Sequence, residues 1–338
     1  MSVETPGLPA GTNQPAGTAT GVIHDLGYRH YDGPRLGRPQ IVAALTWHSF
    51  RSAFGFGRGV KSKIVPAITF LAMCLPAVIN AIVMSQGNPR LVAYDTYNPT
   101  LRIFVMTVFV AVQAPELVSR DLRSRVLPLY FSRPIRPSDY PLAKYLGFTA
   151  ACLVMIEVPL LLLYGGSIAN VHGGSAVWAQ TRALIPGLLV GLMWSVVLAA
   201  ISLFFACLSG RRGFATGAVA IFFLLTYVLA EILLQVETNL AGPPGPGGGP
   251  VQVAKGGPGG PVLSLGPPPA TLAQKVAGLF SPFTLMDGVR RWLGGLTPAD
   301  NVLKPGGFGA VYALVLIALT AACLAGLFAR YRKKALQS

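Results

Sequence analysis

Long apolar runs dominate the pattern of hydrophobic and polar positions along this chain. Six of them are 18 to 26 residues long, and polar or Gly/Pro-rich segments separate them. About 20 helical residues cross the hydrocarbon core of a bilayer, and a helix satisfies its own backbone polar groups there. The pattern therefore predicts an all-α polytopic membrane protein, with spanning helices at 64–84, 101–118, 142–164, 183–208, 214–235 and 308–329.

The segments outside the runs divide the chain further. Residues 1–27 begin with a stretch rich in Gly, Pro, Thr and Ala that has no signal-peptide core, which predicts a disordered cytoplasmic tail. Residues 28–63 mix aromatic and aliphatic groups with basic ones, which favours an interfacial amphipathic segment over a plain basic linker. The transmembrane domain then covers 64–335. It includes a Gly/Pro-rich external loop at 236–307, where 271–294 has the pattern of a broken amphipathic helix lying at the outer membrane interface.

Composition supports this class. The chain is 52% hydrophobic and 12% charged, whereas soluble domains carry about 25% charged residues. The net charge of +15 raises the question of nucleic acid binding. The basic residues stand in short blocks between apolar runs, however, as they do beside membrane spans that meet anionic lipid. We therefore expect contact with membrane lipid and no nucleic acid partner.

The same basic residues indicate orientation. Nineteen Lys and Arg residues flank the spans on one side of the predicted topology, and three lie on the other side when the long loop is set aside. Basic residues concentrate in short cytoplasmic loops. We therefore expect a multi-pass protein of the cell membrane with both termini in the cytoplasm.

The sequence lacks the usual motifs for nucleotide binding, cysteine pairs and zinc binding. The segment 55–62 reads GFGRGVKS but lacks the adjacent Gly-Lys pair of a phosphate-binding loop. The four cysteines lie inside apolar runs without a CxxC pair, and none of the four histidines forms an HExxH motif. We expect no enzymatic activity, no cofactor and no metal site in this chain.

Two acidic residues fall within predicted spans. Glu157 is in the third run and Glu231 is in the fifth. A carboxylate in hydrocarbon is costly and usually faces a bundle interior or a cavity. Both are candidates for a translocation path. The alternatives are that Glu231 reaches interfacial water and that Glu157 is protonated or hydrogen-bonded to a neighbouring helix.

The segment between the second and third runs carries the most specific pattern. Residues 115–144 read PELVSRDLRSRVLPLYFSRPIRPSDYPLAK, a short basic helix with apolar members followed by proline breaks. Ser138 then has the position of an N-cap for the third span. The pattern predicts a cytoplasmic helix-break-helix element suited to docking a partner. A loop lying on the membrane surface is the alternative.

These residues resemble the coupling helix of ABC-2 type permeases, the membrane subunits of bacterial ABC transporters. The family pattern has an acidic residue, a small residue, apolar positions, Pro-Ile or Pro-Leu, and a Lys that opens the third span. Arg125 stands where the family often has Gly. The resemblance covers roughly residues 28–335, mostly through topology. The matching positions are Asp121, Leu127, Pro134, Ile135, Tyr140, Leu142 and Lys144.

The resemblance implies a function. A separate cytoplasmic ATPase subunit would bind near residues 117–136, and two permease subunits would pair as a homodimer or a heterodimer. The coupling residues would include Asp121, Leu122, Val126, Leu127 and Pro134. The family mostly exports substrates, and the apolar spans are compatible with a hydrophobic or amphipathic one. A secondary transporter or channel without an ATPase, and a membrane-anchored scaffold or enzyme subunit, remain as alternatives.

Overall fold

The structure of the chain is a computed structural model. It describes residues 37–87, 99–123, 136–171, 173–240, 272–294 and 308–335, together with Gly33, Tyr94 and two short strands. Its elements are α1 (Arg38–Ala53), α2 (Lys61–Ser85), α3 (Pro99–Arg123), α4 (Asp139–Ala169), α5 (Gly174–Leu208), α6 (Arg212–Leu240), β1 (Gln252–Ala254), β2 (Val262–Ser264), α7 (Leu272–Ala277), a 3₁₀ turn (Gly278–Phe280), α8 (Pro282–Gly294) and α9 (Gly309–Ala335).

Six of these helices, α2 to α6 and α9, are long and apolar enough to cross a membrane. The prediction of an all-α polytopic membrane protein with six spans is confirmed. The helices are longer than the apolar runs. Helix α3 continues five residues past the predicted end of the second run, to Arg123, and α4 begins at Asp139. Helical hydrogen bonds extend through polar residues when other elements supply partners for their side chains.

Helices α3, α4 and α5 form the centre of the bundle. The most apolar window of α3 is 72% buried, against 22% for the corresponding windows of α6 and α9. Contacts between α4 and α5, α3 and α6, and α2 and α4 hold the helices together. The second run was the shortest of the six, and its central position explains how it tolerates buried polar residues such as Thr107 and Gln113.

Two ends of the bundle differ in charge. At one end, α3, α5 and α9 finish while α4 and α6 begin. Here the Ser119 hydroxyl donates to the Ala206 carbonyl (3.4 Å), and Arg330 donates to the Leu208 carbonyl (2.9 Å). We call this the basic end. At the far end, the Tyr94 hydroxyl donates to Gln180 (3.0 Å).

Helix α1 packs against α4 at the basic end. The two helices approach closely at Gly147, where an added Cβ would lie 2.6 Å from the Thr46 carbonyl oxygen. Small residues of α1 are buried there, and Trp47 stays 59% exposed. The chain then turns through Gly55 and Gly57, whose φ angles of 75° and 82° favour glycine. These glycines lie just after the end of α1 at Ala53.

The stretch predicted as a broken amphipathic helix forms α7, the 3₁₀ turn and α8, with a break at Ser281. Its packing differs from that of a helix lying on the interface. Phe283 and Met286 are buried, and the Phe283 ring lies 5.3 Å from Trp194 and 5.4 Å from Phe223. Two antiparallel strands, β1 and β2, precede it with Val253 opposite Leu263. The Gly/Pro-rich composition gave no sign of this hairpin.

Candidate coupling site and buried charges

Three positions of the predicted coupling motif come together at the basic end. Asp121, near the end of α3, forms an ion pair with Lys144 of α4 (Nζ to Oδ2, 2.8 Å). The Tyr140 hydroxyl donates to the same carboxylate oxygen. Tyr140 and Lys144 are one helical turn apart, so both reach α3 from the same face of α4. We call Asp121, Tyr140 and Lys144 the Asp121 cluster.

The Asp121 cluster is well shielded. The Lys144 side chain is 6% exposed, and that of Asp121 is 20% exposed. The buried Tyr140 ring lies 5.3 Å from the ring of Tyr331 on α9. The cluster therefore joins α3, α4 and α9. An opposite charge removed from such a place leaves its partner uncompensated.

A second ion-pair group surrounds Glu116, one turn earlier on α3. Its Oε1 lies 2.7 Å from Arg58 Nη1, and its Oε2 lies 2.7 Å from Arg212 Nη1. Arg58 belongs to the connection between α1 and α2, and Arg212 opens α6. Arg58 also donates to the Ser52 hydroxyl of α1. This carboxylate thus ties α3 directly to the α1–α2 connection and to α6, and through Arg58 to α1.

Sequence reasoning did not assign a role to Glu116. Its position beside Pro115, close to basic blocks on either side, was the available signal. The spacing along the chain does not show which arginine it meets, because Arg58 and Arg212 are distant in sequence. The fold decides that pairing.

A third pair links α1 to the start of α4. Arg38 donates from Nε to Asp139 Oδ2 (2.7 Å) and from Nη2 to Oδ1 (2.6 Å), which is a bidentate arrangement. The Arg136 backbone N–H also donates to Asp139 (2.9 Å). Ser138 has the predicted N-cap position, but its side chain makes no capping hydrogen bond. The Asp139 carboxylate instead accepts a hydrogen bond from the backbone N–H of Arg136, which precedes the helix.

The surroundings of two side chains on α1 shift their pKa values. The hydrogen bond to Asp139 raises the pKa of the Arg38 guanidinium above its ordinary value. Partial burial lowers the pKa of His48 below its ordinary value of 6.5, although the residue stays largely exposed, and the positive charge of Lys144 lowers that pKa further.

Glu157 presents a different environment in the interior of the bundle. Both of its carboxyl oxygens are buried and accept no hydrogen bond from the residues that the structure describes. They pack against Gly191 of α5, where an added Cβ would collide with Oε1. Arg102 of α3 is a buried cation, 4% exposed, whose charge acts on Glu157. Its guanidinium lies 4.1 Å from the centre of the Trp194 ring.

The charge pattern counts Arg102 among the three basic residues on the side of the predicted topology opposite the nineteen. The structure places it inside α3 and between helices. Its position at the second residue of the second apolar run was the only signal in the sequence. A cation at such a depth is stabilised by the face of an aromatic ring and by the nearby acidic group.

Glu231, the other candidate for a translocation path, lies on α6. Gln235 on the same helix donates to its carboxylate (Nε2 to Oε1, 3.4 Å). Within the described part of the chain, no hydrogen bond or ion pair joins Glu231 to Glu157. The two candidates therefore remain separate predictions.

The remaining coupling residues are only partly described. Leu122 continues the helical backbone of α3. Val126, Leu127 and Pro134 lie in 124–135, outside the described residues. The described ranges also hold no group of three or more His, Cys, Asp or Glu side chains arranged to bind a metal ion.

Comparison of the sequence with protein-family models gives no match, and comparison with curated proteins gives none either. Function is consequently inferred from the placement of residues in this chain and from the resemblance of its coupling motif.

Proposed function

We propose that this chain is the membrane-spanning permease subunit of an ABC transporter, powered by a separate cytoplasmic ATPase. It carries a hydrophobic or amphipathic substrate out of the cell and works as one half of a homodimer or heterodimer. The chain itself hydrolyses no ATP. Residues 117–136 receive the ATPase, and the basic end of the bundle faces the cytoplasm.

The observation that carries this proposal is the Asp121 cluster. Asp121, Tyr140 and Lys144 match separate positions of the coupling motif, and their side chains meet in one buried contact. Asp121 lies within residues 117–136, the segment proposed to receive the ATPase, and Tyr140 lies four residues after the end of that segment. A force applied to the segment therefore acts on α3 and α4 together, because the cluster joins the end of α3 to the start of α4.

The Glu116 group supports the same proposal. It connects α3 with the start of α6 and, through Arg58, with the connection between α1 and α2. Movement of the end of α3 would be transmitted to α6 and to the α1–α2 connection through these two ion pairs, whose N–O distances are 2.7 Å. Helices α2, α6 and α9 bury little of their apolar windows, 22–28% in each case. Their outer faces suit contact with lipid and with a second permease subunit.

Co-purification tests the proposal. The tagged chain, isolated in detergent, is expected to retain a protein with a phosphate-binding loop, and the complex is expected to hydrolyse ATP. Replacing Leu122, Val126 and Leu127 with Asp should abolish both. Leu293→Asp, at a 72% exposed position of α8, is the matched control. The proposal is wrong if the triple variant keeps the ATPase and its activity at the control level.

A secondary transporter or channel is the second candidate, and one observation favours it. Glu157 and Arg102 place opposite charges inside the span region, as ion-coupled transporters do. Transport assays in proteoliposomes separate the two candidates. A permease requires the ATPase and ATP, whereas a secondary transporter moves substrate when an ion gradient is imposed on the chain alone.

A further inference from the structure

An apolar groove runs between α1 and α4 at the basic end. Its volume is about 710 Å³, within the range of small-molecule pockets. From α1 it is lined by residues that include Ala43, Trp47 and Phe50, and from α4 by Leu142, Leu146 and Ala150. Trp47, Leu142 and Leu146 are exposed at its surface. The groove opens outward beside a membrane-spanning helix, so an apolar occupant can enter it from the bilayer.

One end of the groove is polar. Arg38 and Asp139 line it there, and the Arg38 side chain is 42% exposed. A guanidinium has five N–H donors, and Arg38 uses Nε and Nη2 to bind Asp139. The remaining donors lie on an accessible side chain. They suit a phosphate, which accepts charge-assisted hydrogen bonds from arginine.

The apolar length of the groove is close to one leaflet of a bilayer. From Leu142 to Ala150, the apolar lining of α4 rises about 12 Å at 1.5 Å per residue. Half of a hydrocarbon core about 30 Å thick is about 15 Å. An exposed indole such as that of Trp47 is typical of the boundary between headgroups and acyl chains. The charged end and the apolar length therefore follow the layout of one phospholipid.

We infer that this groove is a phospholipid site, with one acyl chain lying between α1 and α4 and the lipid phosphate bound to Arg38. The bound lipid fills the outer side of the junction that Gly147 closes on the inner side. It attaches α1 to the bundle, and its phosphate shares the Arg38 guanidinium with the Asp139 carboxylate. This inference is independent of the transport function proposed above.

Photo-cross-linking tests the site. The full chain is reconstituted in vesicles of phosphatidylethanolamine and phosphatidylglycerol that contain a trace of phospholipid with a diazirine in mid-chain. After illumination, mass spectrometry maps the labelled peptides. We expect labelling to concentrate on 42–50 and 142–150 relative to the exposed face of α9. Ala43→Phe should fill the groove and abolish that excess, whereas Ala322→Phe, on the exposed face of α9, should preserve it.

Two further arms identify the occupant. A diacylglycerol that carries the same diazirine but no phosphate should label the groove less than the phospholipid does. A Trp47→Cys variant under oxidising conditions should not form disulfide-linked dimers. The inference is overturned by uniform labelling of groove and α9, by equal labelling in Ala43→Phe, or by equal labelling with diacylglycerol. It is also overturned if the Trp47→Cys variant dimerises through the introduced thiol, which would indicate that a second copy covers the groove.

Discussion

Carboxylates at the basic end of the bundle have ion-pair partners, whereas the carboxylate in its interior has no hydrogen bond from a described residue. At the basic end, Glu116, Asp121 and Asp139 each meet basic side chains within 2.8 Å or less. In the interior, Glu157 is buried without a hydrogen bond from a described residue. Paired carboxylates join helices, whereas an unsatisfied buried carboxylate costs free energy and persists where it has another use. The difference indicates that the first group holds helices together, whereas a role for Glu157 in a translocation path stays a prediction.

Removing a cation from the basic end should have the largest effect on the free energy of unfolding. Lys144→Met leaves the Asp121 carboxylate without its ion-pair partner in a shielded place, and we expect a loss of about 3 kcal/mol of stability. Thermal unfolding of the purified chain in detergent measures it. Arg332→Met, at an exposed position of α9, is the control and should change little. If both variants unfold alike, the Asp121 cluster does not stabilise the bundle.

Adding a methyl group beside the Glu157 carboxylate should have the next largest effect on the free energy of unfolding. In Gly191→Ala the new Cβ collides with Glu157 Oε1, so helix α5 or the glutamate must shift, at a cost of about 2 kcal/mol. Gly217→Ala on α6 is the control, because an added Cβ there meets no atom within 4 Å. It should be neutral or slightly stabilising. Equal stability of the two variants would show that Glu157 relaxes freely.

Neutralising the interior carboxylate separates stability from function. Glu157→Gln keeps the shape of the side chain and removes a carboxyl group that accepts no hydrogen bond from a described residue, but it also takes a nearby acidic group away from Arg102. These two effects oppose each other, so we expect the free energy of unfolding to change by less than about 1 kcal/mol. If Glu157 lines a translocation path, transport falls at the same time. Glu231→Gln is the control and should leave stability unchanged. Unchanged transport in Glu157→Gln would exclude a functional role for this carboxylate.

Protonation of His48 on acidification should have the smallest effect on the free energy of unfolding. The pKa of His48 is lowered in the folded chain, so the unfolded chain binds this proton more readily. Stability attributable to His48 is therefore intact above its ordinary pKa of 6.5 and declines as the pH falls through the lower, folded value. In His48→Gln that part of the decline should disappear. Unfolding temperatures between about pH 7.5 and 5 measure the difference, and identical profiles would contradict it.

The candidate site was only partly predictable. Asp121, Tyr140 and Lys144 were recognised as motif positions, but nothing in their spacing showed that they touch. Glu116 and Arg102 had no predicted role. Their partners come from helices far away in the sequence, and the distance along a chain carries no information about such contacts. Helix α8 shows the same limit, because an amphipathic pattern reveals an apolar face without revealing what covers it.

The sequence alone determined the number of spans and the basic character of one end. These follow from the length and composition of single segments, since each helix in a bilayer must satisfy its own backbone and avoid charge. Tertiary structure decided which charges are paired, which helix occupies the centre, and where α8 inserts. Each of those depends on the approach of side chains from separate helices, and only the assembled bundle determines their distances.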